Sequence, residues 1–266
     1  MPLVYYLWPA LLTVLIALPL LVFSWYFYDI AFWENWLPGE AGKYEEFCER
    51  NRMDRLIREP SNTFSNLAYV WLGFQVLAFA IWDFRQKINK NRLQQWPLLS
   101  VVFALSLILL GGGSFFYHAS LSAIAQRWDM TGVYSIMAFL LAYPVFHFFP
   151  NRKNFLLGIV TTLLLADLLL YIYKWSLNGL IVLPAFIVVV VLFIALDQIL
   201  RKPKRNMKWI FSALFFLVAA FVLWYLDREK ILCNPDSLFQ GHALWHCLTG
   251  WSSFSIYMFY RSESGR

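Results

Sequence analysis

Segments such as LLLADLLLYIY and LPAFIVVVVLFIAL stay apolar without a break, and no other feature of the chain constrains its fold as tightly. About 20 apolar residues are needed to cross a bilayer as a helix, and helices and closed barrels are the only spanning structures that satisfy their own backbone polar groups. Barrel strands alternate apolar and polar residues, which these segments do not. Such runs lie near residues 4–28, 61–82, 97–117, 128–148, 154–173, 179–197, 208–226 and 238–259. The expectation is an all-α, polytopic membrane bundle of eight spanning helices. A chain that is 60% hydrophobic, 20% aromatic and only 14% charged, with a mean hydropathy of +0.56, agrees.

The first run has no basic flank and no small-residue cleavage site, and it is too long for a signal peptide. It reads as a retained helix over residues 1–28. A polar, acidic stretch at 29–60 follows, then a core at 61–260 and a short tail at 261–266. No internal repeat or low-complexity segment is visible.

Lys and Arg gather in FRQKINKNR, RKPKRNMK and the terminal RSESGR, while the alternate loops carry far fewer. The positive-inside rule then puts both termini in the cytoplasm and the 29–60 stretch on the lumenal or periplasmic face. The net charge of +6 forms a basic collar beside anionic lipid headgroups. Membrane lipids are the expected surroundings, with no nucleic-acid partner and no obligate protein partner.

Polar groups inside spanning helices are costly and usually functional. Ser114 and His118 close the third helix, Asp129 opens the fourth, and His242 and His246 open the eighth. The topology brings all five to one membrane depth. Histidines four apart lie about 40° apart around a helix, and roughly 6 Å along it, so their rings converge. His118 supplies a third imidazole. Three histidines with an open fourth position are a catalytic zinc arrangement, which provides hydroxide at neutral pH.

Each signal has a plainer interpretation. An isolated HxxxH is weak, and His147, near the opposite membrane face, reads as a packing residue. Gly111, Gly112 and Gly113 read as close helix packing. Asp129 at a helix start also suits an N-cap. The convergence of three of the four histidines with an Asp and a Ser outweighs these. Cys247 lies one residue from His246 and points away from the pair. Cys48 and Cys233 fall in extracytoplasmic loops, where a disulfide persists, or they are two unrelated thiols. A transporter would use Asp167 and Asp197 as pathway carboxylates, but no paired broken helices or repeat halves are seen.

The stretches GGGSFFYHASLSAIAQRWDM and GHALWHCLTG resemble the S-x3-H, Asp and H-x3-H signature of the alkaline ceramidase family. That signature is shared with a wider membrane-hydrolase superfamily that includes the progestin and adipoQ receptors. The stretch EFCERNRMDRLIREPSNTFSNL is similar to the N-terminal region of alkaline ceramidases, which the receptors lack. The resemblance covers about residues 45–260. It maps a seven-helix core onto helices two to eight, and the first helix is additional.

The resemblance implies a zinc-dependent amidase that cleaves the N-acyl bond of ceramide to a sphingoid base and a fatty acid. Hydrolysis of another N-acyl lipid, or a receptor-like role, is the alternative. By position, His118, His242 and His246 hold zinc. Asp129 moves the proton of the attacking water, and Ser114 binds that water or the developing oxyanion. A calcium site is implied at Glu46, Glu49, Asn51 and Glu59 by side chain and Phe47 by carbonyl; pairing of these acids with Arg50, Arg52, Arg55 and Arg58 is the plainer reading. The chain departs from the family pattern at Glu46, where Asp is usual, at Phe47, where Trp is usual, and in PSNT. The resemblance also favours a Cys48–Cys233 bridge.

Overall fold

A computed structural model describes residues 1–148, 151–231 and 233–264. The last two residues of the expected tail, 265 and 266, lie outside them. The helices are α1 (Val4–Tyr26), α2 (Glu40–Tyr44), α3 (Pro60–Ser65), α4 (Leu67–Arg85), α5 (Arg92–Gln95), α6 (Pro97–Ser120), α7 (Ala123–Phe146), α8 (Arg152–Tyr173), α9 (Gly179–Arg201), α10 (Lys208–Arg228) and α11 (Gly241–Arg261). Two isolated bridges, Pro38 with Ser122 and Lys204 with Ser264, are the only β pairing among the described residues.

Among the described residues, seven helices are long and apolar enough to span a bilayer: α1, the joined α3–α4, and α6 to α10. The eighth expected span, α11, matches them in length at 21 residues. It is less apolar because His242, His246, Ser252, Ser253 and Ser255 turn inward and are buried. The outer faces of α8 to α10 expose Leu164, Leu168, Val188, Leu192, Phe211 and Phe215. Exposed apolar surface of that extent belongs in lipid.

The interior is built from α4, α6, α7 and α11. Phe103, Phe139, Tyr143, Tyr257 and Tyr260 are almost wholly buried there. Gly113 and Gly132 set the α6–α7 contact: a Cβ on Gly113 would come within 2.7 Å of the Trp128 backbone, and one on Gly132 within 2.4 Å of Leu110 Cα. Gly111, which meets Val70 of α4, and Gly113 are thus packing positions, as expected, whereas Gly112 faces open space. The additional α1 lies against α4, through Tyr5 on Trp82 and Tyr6 on Phe79.

Two helix boundaries differ from the sequence reading. The fourth span begins at Ala123, not near 128, because the Ser122 hydroxyl accepts from the Ala125 amide and caps it. Asp129 is thus inside α7, and its expected place at the helix start is corrected. The third span runs on to Ser120 and ends at Leu121, whose φ of 47° is left-handed. Only Leu121 and Ser122 separate α6 from α7, so Asp129 comes back beside Gly113 and Ser114, about one turn below His118.

Both chain ends and both basic loops share the end of the bundle opposite this hairpin. Met1, Lys90 and Arg261 line one small pocket, and Lys204 pairs with Ser264. There Arg205 lies 2.7 Å from Asp197 and 2.6 Å from Glu263, and Arg201 also pairs with Asp197. Asp197 is held in a structural ion network. His147, read as a packing residue, donates from Nδ1 to the Tyr143 carbonyl at 2.7 Å.

Candidate metal centre

The last turn of α6 leaves carbonyls without intrahelical partners. The segment after Cys48 supplies them: the Arg58 amide donates to Ala119 O at 3.1 Å and the Glu59 amide to His118 O at 3.1 Å. The Arg58 guanidinium adds a 2.6 Å bond to Ser120 O. This docks Glu59, fully buried, against His118. Its Oε2 lies 2.5 Å from His118 Nδ1.

From the other side, α11 presents His242 and His246. The Asp227 carboxylate starts that helix, accepting from the His242 amide at 3.0 Å with one oxygen and from the Cys48 amide at 3.0 Å with the other. The Cys48–Cys233 disulfide is formed, with its Cα atoms 5.5 Å apart. Bridge and carboxylate together fix the N-terminal stretch beside α11.

The three imidazoles meet. Ring centroids of His118, His242 and His246 are 4.5–5.0 Å apart, and each ring offers a nitrogen within 4.8 Å of the others. All three are buried. The Ser65 hydroxyl lies 2.8 Å from His246 Nδ1, so the Nδ1 atoms of His118 and His246 are both engaged and their Nε2 atoms are left for an ion. Outer partners of this kind orient metal-ligating histidines. His242 stacks on Phe47 at 3.6 Å, and its Nδ1 is buried without a hydrogen-bond partner. An orphaned buried nitrogen beside two oriented imidazoles fits a transition metal held by nitrogen, zinc foremost.

Asp129 and Ser114 line the same cavity as the three histidines, and Ser114 is within hydrogen-bond reach of the Asp129 carboxyl. The cavity has a volume of about 840 Å³. It continues between α9 and α10, walled by Ile187, Val191 and Ile194 on one side and Ile210, Leu214 and Leu217 on the other. Its lining along α9 runs from Gly179 to Ile199, roughly 30 Å at the helical rise. That is about the thickness of a bilayer's apolar core.

The Ceramidase family profile matches residues 42–263. The chain belongs to the ceramidase family. An alkaline ceramidase of Arabidopsis thaliana is 25% identical, the match covering 82% of this chain and 84% of that one. An alkaline ceramidase of Drosophila melanogaster is also 25% identical, over 84% and 77%. A Dictyostelium discoideum protein provisionally named an alkaline ceramidase is 24% identical, over 79% and 82%. Helix α1 precedes the part matched to the ceramidase family.

In this ceramidase the N-terminal acids are distributed rather than clustered. Among the described residues, only the three histidines bring three ligand atoms of His, Cys, Asp or Glu within 4.8 Å of one another. Glu49 accepts from the Ser61 and Asn62 amides, each at 2.8 Å, at the start of α3. Glu46 lies 3.6 Å from Arg228. Asn51 donates to Ala41 O at 2.7 Å, and Phe47 packs on His242. Burial pushes the Glu49 carboxyl up to about 7 despite the two amide donors, with the nearby Glu59 adding to the rise. Burial also raises Glu46, again with Glu59 contributing. Glu59 Oε1 and Asn51 Oδ1 are buried without partners. Both are oxygen donors of the kind a hard cation prefers.

Sequence reasoning did not single out Ser65 or Asp227, nor the contact of Glu59 with His118. The only trace of Ser65 in the sequence is its place in the stretch EFCERNRMDRLIREPSNTFSNL, which resembles the N-terminal region of alkaline ceramidases.

Proposed function

We propose that this protein is an integral-membrane, zinc-dependent amidase that cleaves the N-acyl bond of ceramide, giving a sphingoid base and a fatty acid. One observation carries the reading: three histidines, Asp129 and Ser114 line one elongated, largely apolar cavity. Membership of the ceramidase family, and the names of its relatives, support ceramide as the lipid.

When bound by the three imidazoles, zinc supplies Lewis acidity and a nucleophilic hydroxide at neutral pH. Glu59 and Ser65 hold His118 and His246 in the ring orientation that the ion needs. Asp129 takes a proton from the attacking water and returns it to the leaving amine. Ser114 donates to the amide oxygen as charge develops on it. The walls of α9 and α10 seat the hydrocarbon chains and keep bulk water out. One water is consumed, the C–N bond breaks, and the amine leaves protonated.

Calcium belongs to the same reading. Glu46, Glu49, Asn51 and Glu59, with the Phe47 carbonyl, are its proposed ligands, and the idle oxygens of Glu59 and Asn51 support it. Because Glu59 touches both groups, calcium stabilises the first ligand of the catalytic metal as well as the loop.

The proposed orientation keeps both termini cytoplasmic and both metal sites lumenal or periplasmic. The shared end of termini and basic loops supports it, as does a disulfide at the opposite end.

Purified protein given a panel of ceramides tests the function. It should release free base and fatty acid, lose that activity on removal of zinc and regain it on zinc addition. A fully zinc-loaded preparation that hydrolyses no N-acyl lipid would refute the reading.

A further inference from the structure

Tyr69 stands beside the metal centre, in a place that two glycines prepare for it. It lies on α4, four residues beyond Ser65, about one helical turn further into the bundle. A Cβ on Gly111 of α6 would come within 3.2 Å of Tyr69 Cβ, and one on Gly250 of α11 within 3.2 Å of the Tyr69 ring. The side chain is therefore wedged between α6 and α11, and the residue is only 3% exposed. It lines the cavity that holds the three histidines, Ser114 and Asp129, with its ring centroid 6.2 Å from that of His246. Asp129 is close enough for its charge to act on the phenol.

Hydrogen-bond inventory decides what this phenol can offer. The Tyr69 hydroxyl meets Thr249 Oγ1, which lines the same cavity. Thr249 has a single proton to donate, and it goes to the backbone of its own helix: Oγ1 lies 2.7 Å from Trp245 O and 3.3 Å from His246 O. Thr249 Oγ1 then accepts from Tyr69, so the proton of the phenol is spent. Its oxygen keeps a lone pair and acts only as an acceptor. At the scissile group the carbonyl has nothing to donate, and the one donor is the amide N–H. Ser114 serves the carbonyl oxygen and Asp129 carries the proton, which leaves that N–H unclaimed.

We propose that the Tyr69 oxygen accepts the N–H of the scissile amide and holds its nitrogen toward Asp129. The electron pair freed as the C–N bond breaks then takes the proton that Asp129 carries. Tyr69 itself transfers no proton. The nitrogen becomes a stronger donor as it is protonated, so the contact tightens toward the transition state. Thr249 is a positioning residue, acting through Tyr69. The inference rests on the amidase reading and deepens it, because it makes amides that carry an N–H, rather than esters, the substrate class this site favours.

The test compares a ceramide with its ester counterpart, in which oxygen replaces the amide nitrogen and every hydroxyl is kept, on the zinc-loaded full-length protein. Tyr69→Phe keeps the wedged ring and should lower kcat for the ceramide about tenfold, the worth of one such hydrogen bond. Ester turnover and zinc content should not change. Thr249→Val releases the phenol's proton and should act in the same direction, while Thr249→Ser should keep the parent rate. An equal fall for amide and ester in Tyr69→Phe, as a structural or hydroxyl-binding role would give, or no fall for the amide, overturns the proposal. If the parent hydrolyses neither compound, equilibrium competition decides. Tighter binding of the amide than of the ester, lost in Tyr69→Phe, would then support the contact while refuting the amidase reading alone, and equal binding by the parent would overturn both.

Discussion

Glu59 and His118 are joined by a 2.5 Å contact between buried atoms, Oε2 and Nδ1. The contact couples the N-terminal stretch to the metal centre, so the two proposed ion sites are not independent. Glu59→Gln keeps the volume but removes the charge that fixes the imidazole. It should lower zinc affinity or turnover by about 10–100-fold, and it should also abolish any response to calcium. Selective calcium chelation of the parent should lower activity and thermal stability without removing zinc. If both are unchanged by chelation, the stretch is only a charged loop capping α3.

Ser65 does for His246 what Glu59 does for His118, at 2.8 Å, but without a charge. Ser65→Ala should weaken zinc binding by less than Glu59→Gln does, with the helix otherwise intact. Zinc titration against a competing chelator measures both. Equal affinity in Ser65→Ala and parent would show that the hydroxyl does not orient the ring.

Asp129 separates binding from chemistry. With Ser122 as the cap of α7, Asp129 has no capping duty, and Asp129→Asn should fold and keep full zinc. Turnover should fall by roughly 10²–10⁴-fold, the usual contribution of a positioned acid-base group. Ser114→Ala should also keep zinc and slow the reaction less. Near-normal turnover by Asp129→Asn would leave the mechanism without its proton carrier.

The candidate site was legible in the sequence because it breaks a pattern: His118, Asp129, His242 and His246 interrupt apolar runs. Ser65, Asp227 and the role of Glu59 were not, because each works through one tertiary contact that no periodicity announces. Asp227 reads in sequence as an ordinary charge at a membrane surface, yet it is buried between Cys48 and His242. The start of α7 was misjudged because Gln126 and Arg127 look like loop residues. Gln126 is paid for by Glu40 across the cavity mouth. The hydropathy that marks the other spans is faint in α11 for the same reason that α11 matters, since its polar face is turned inward to the site.

The same end of α11 depends on the bridge and on Asp227. Non-reducing peptide mapping should recover Cys48 linked to Cys233, and two free thiols in oxidised protein would contradict this. Loss of the bridge should destabilise by at most a few kcal/mol, since the membrane already restricts the unfolded chain. Asp227→Ala leaves two buried amides unpaired at about 1–3 kcal/mol each, and it should displace His242 as well. Thermal unfolding and zinc content should therefore fall together in Asp227→Ala.

The central claim is that three histidines hold the metal on which ceramide hydrolysis depends. Zinc content and ceramide turnover, measured on the same preparations of the parent and of His118→Ala, His242→Ala and His246→Ala, test it most directly. The parent should carry about one zinc per chain and release sphingoid base, and each variant should lose both. Any one of the three variants retaining both its zinc and its turnover would contradict the account.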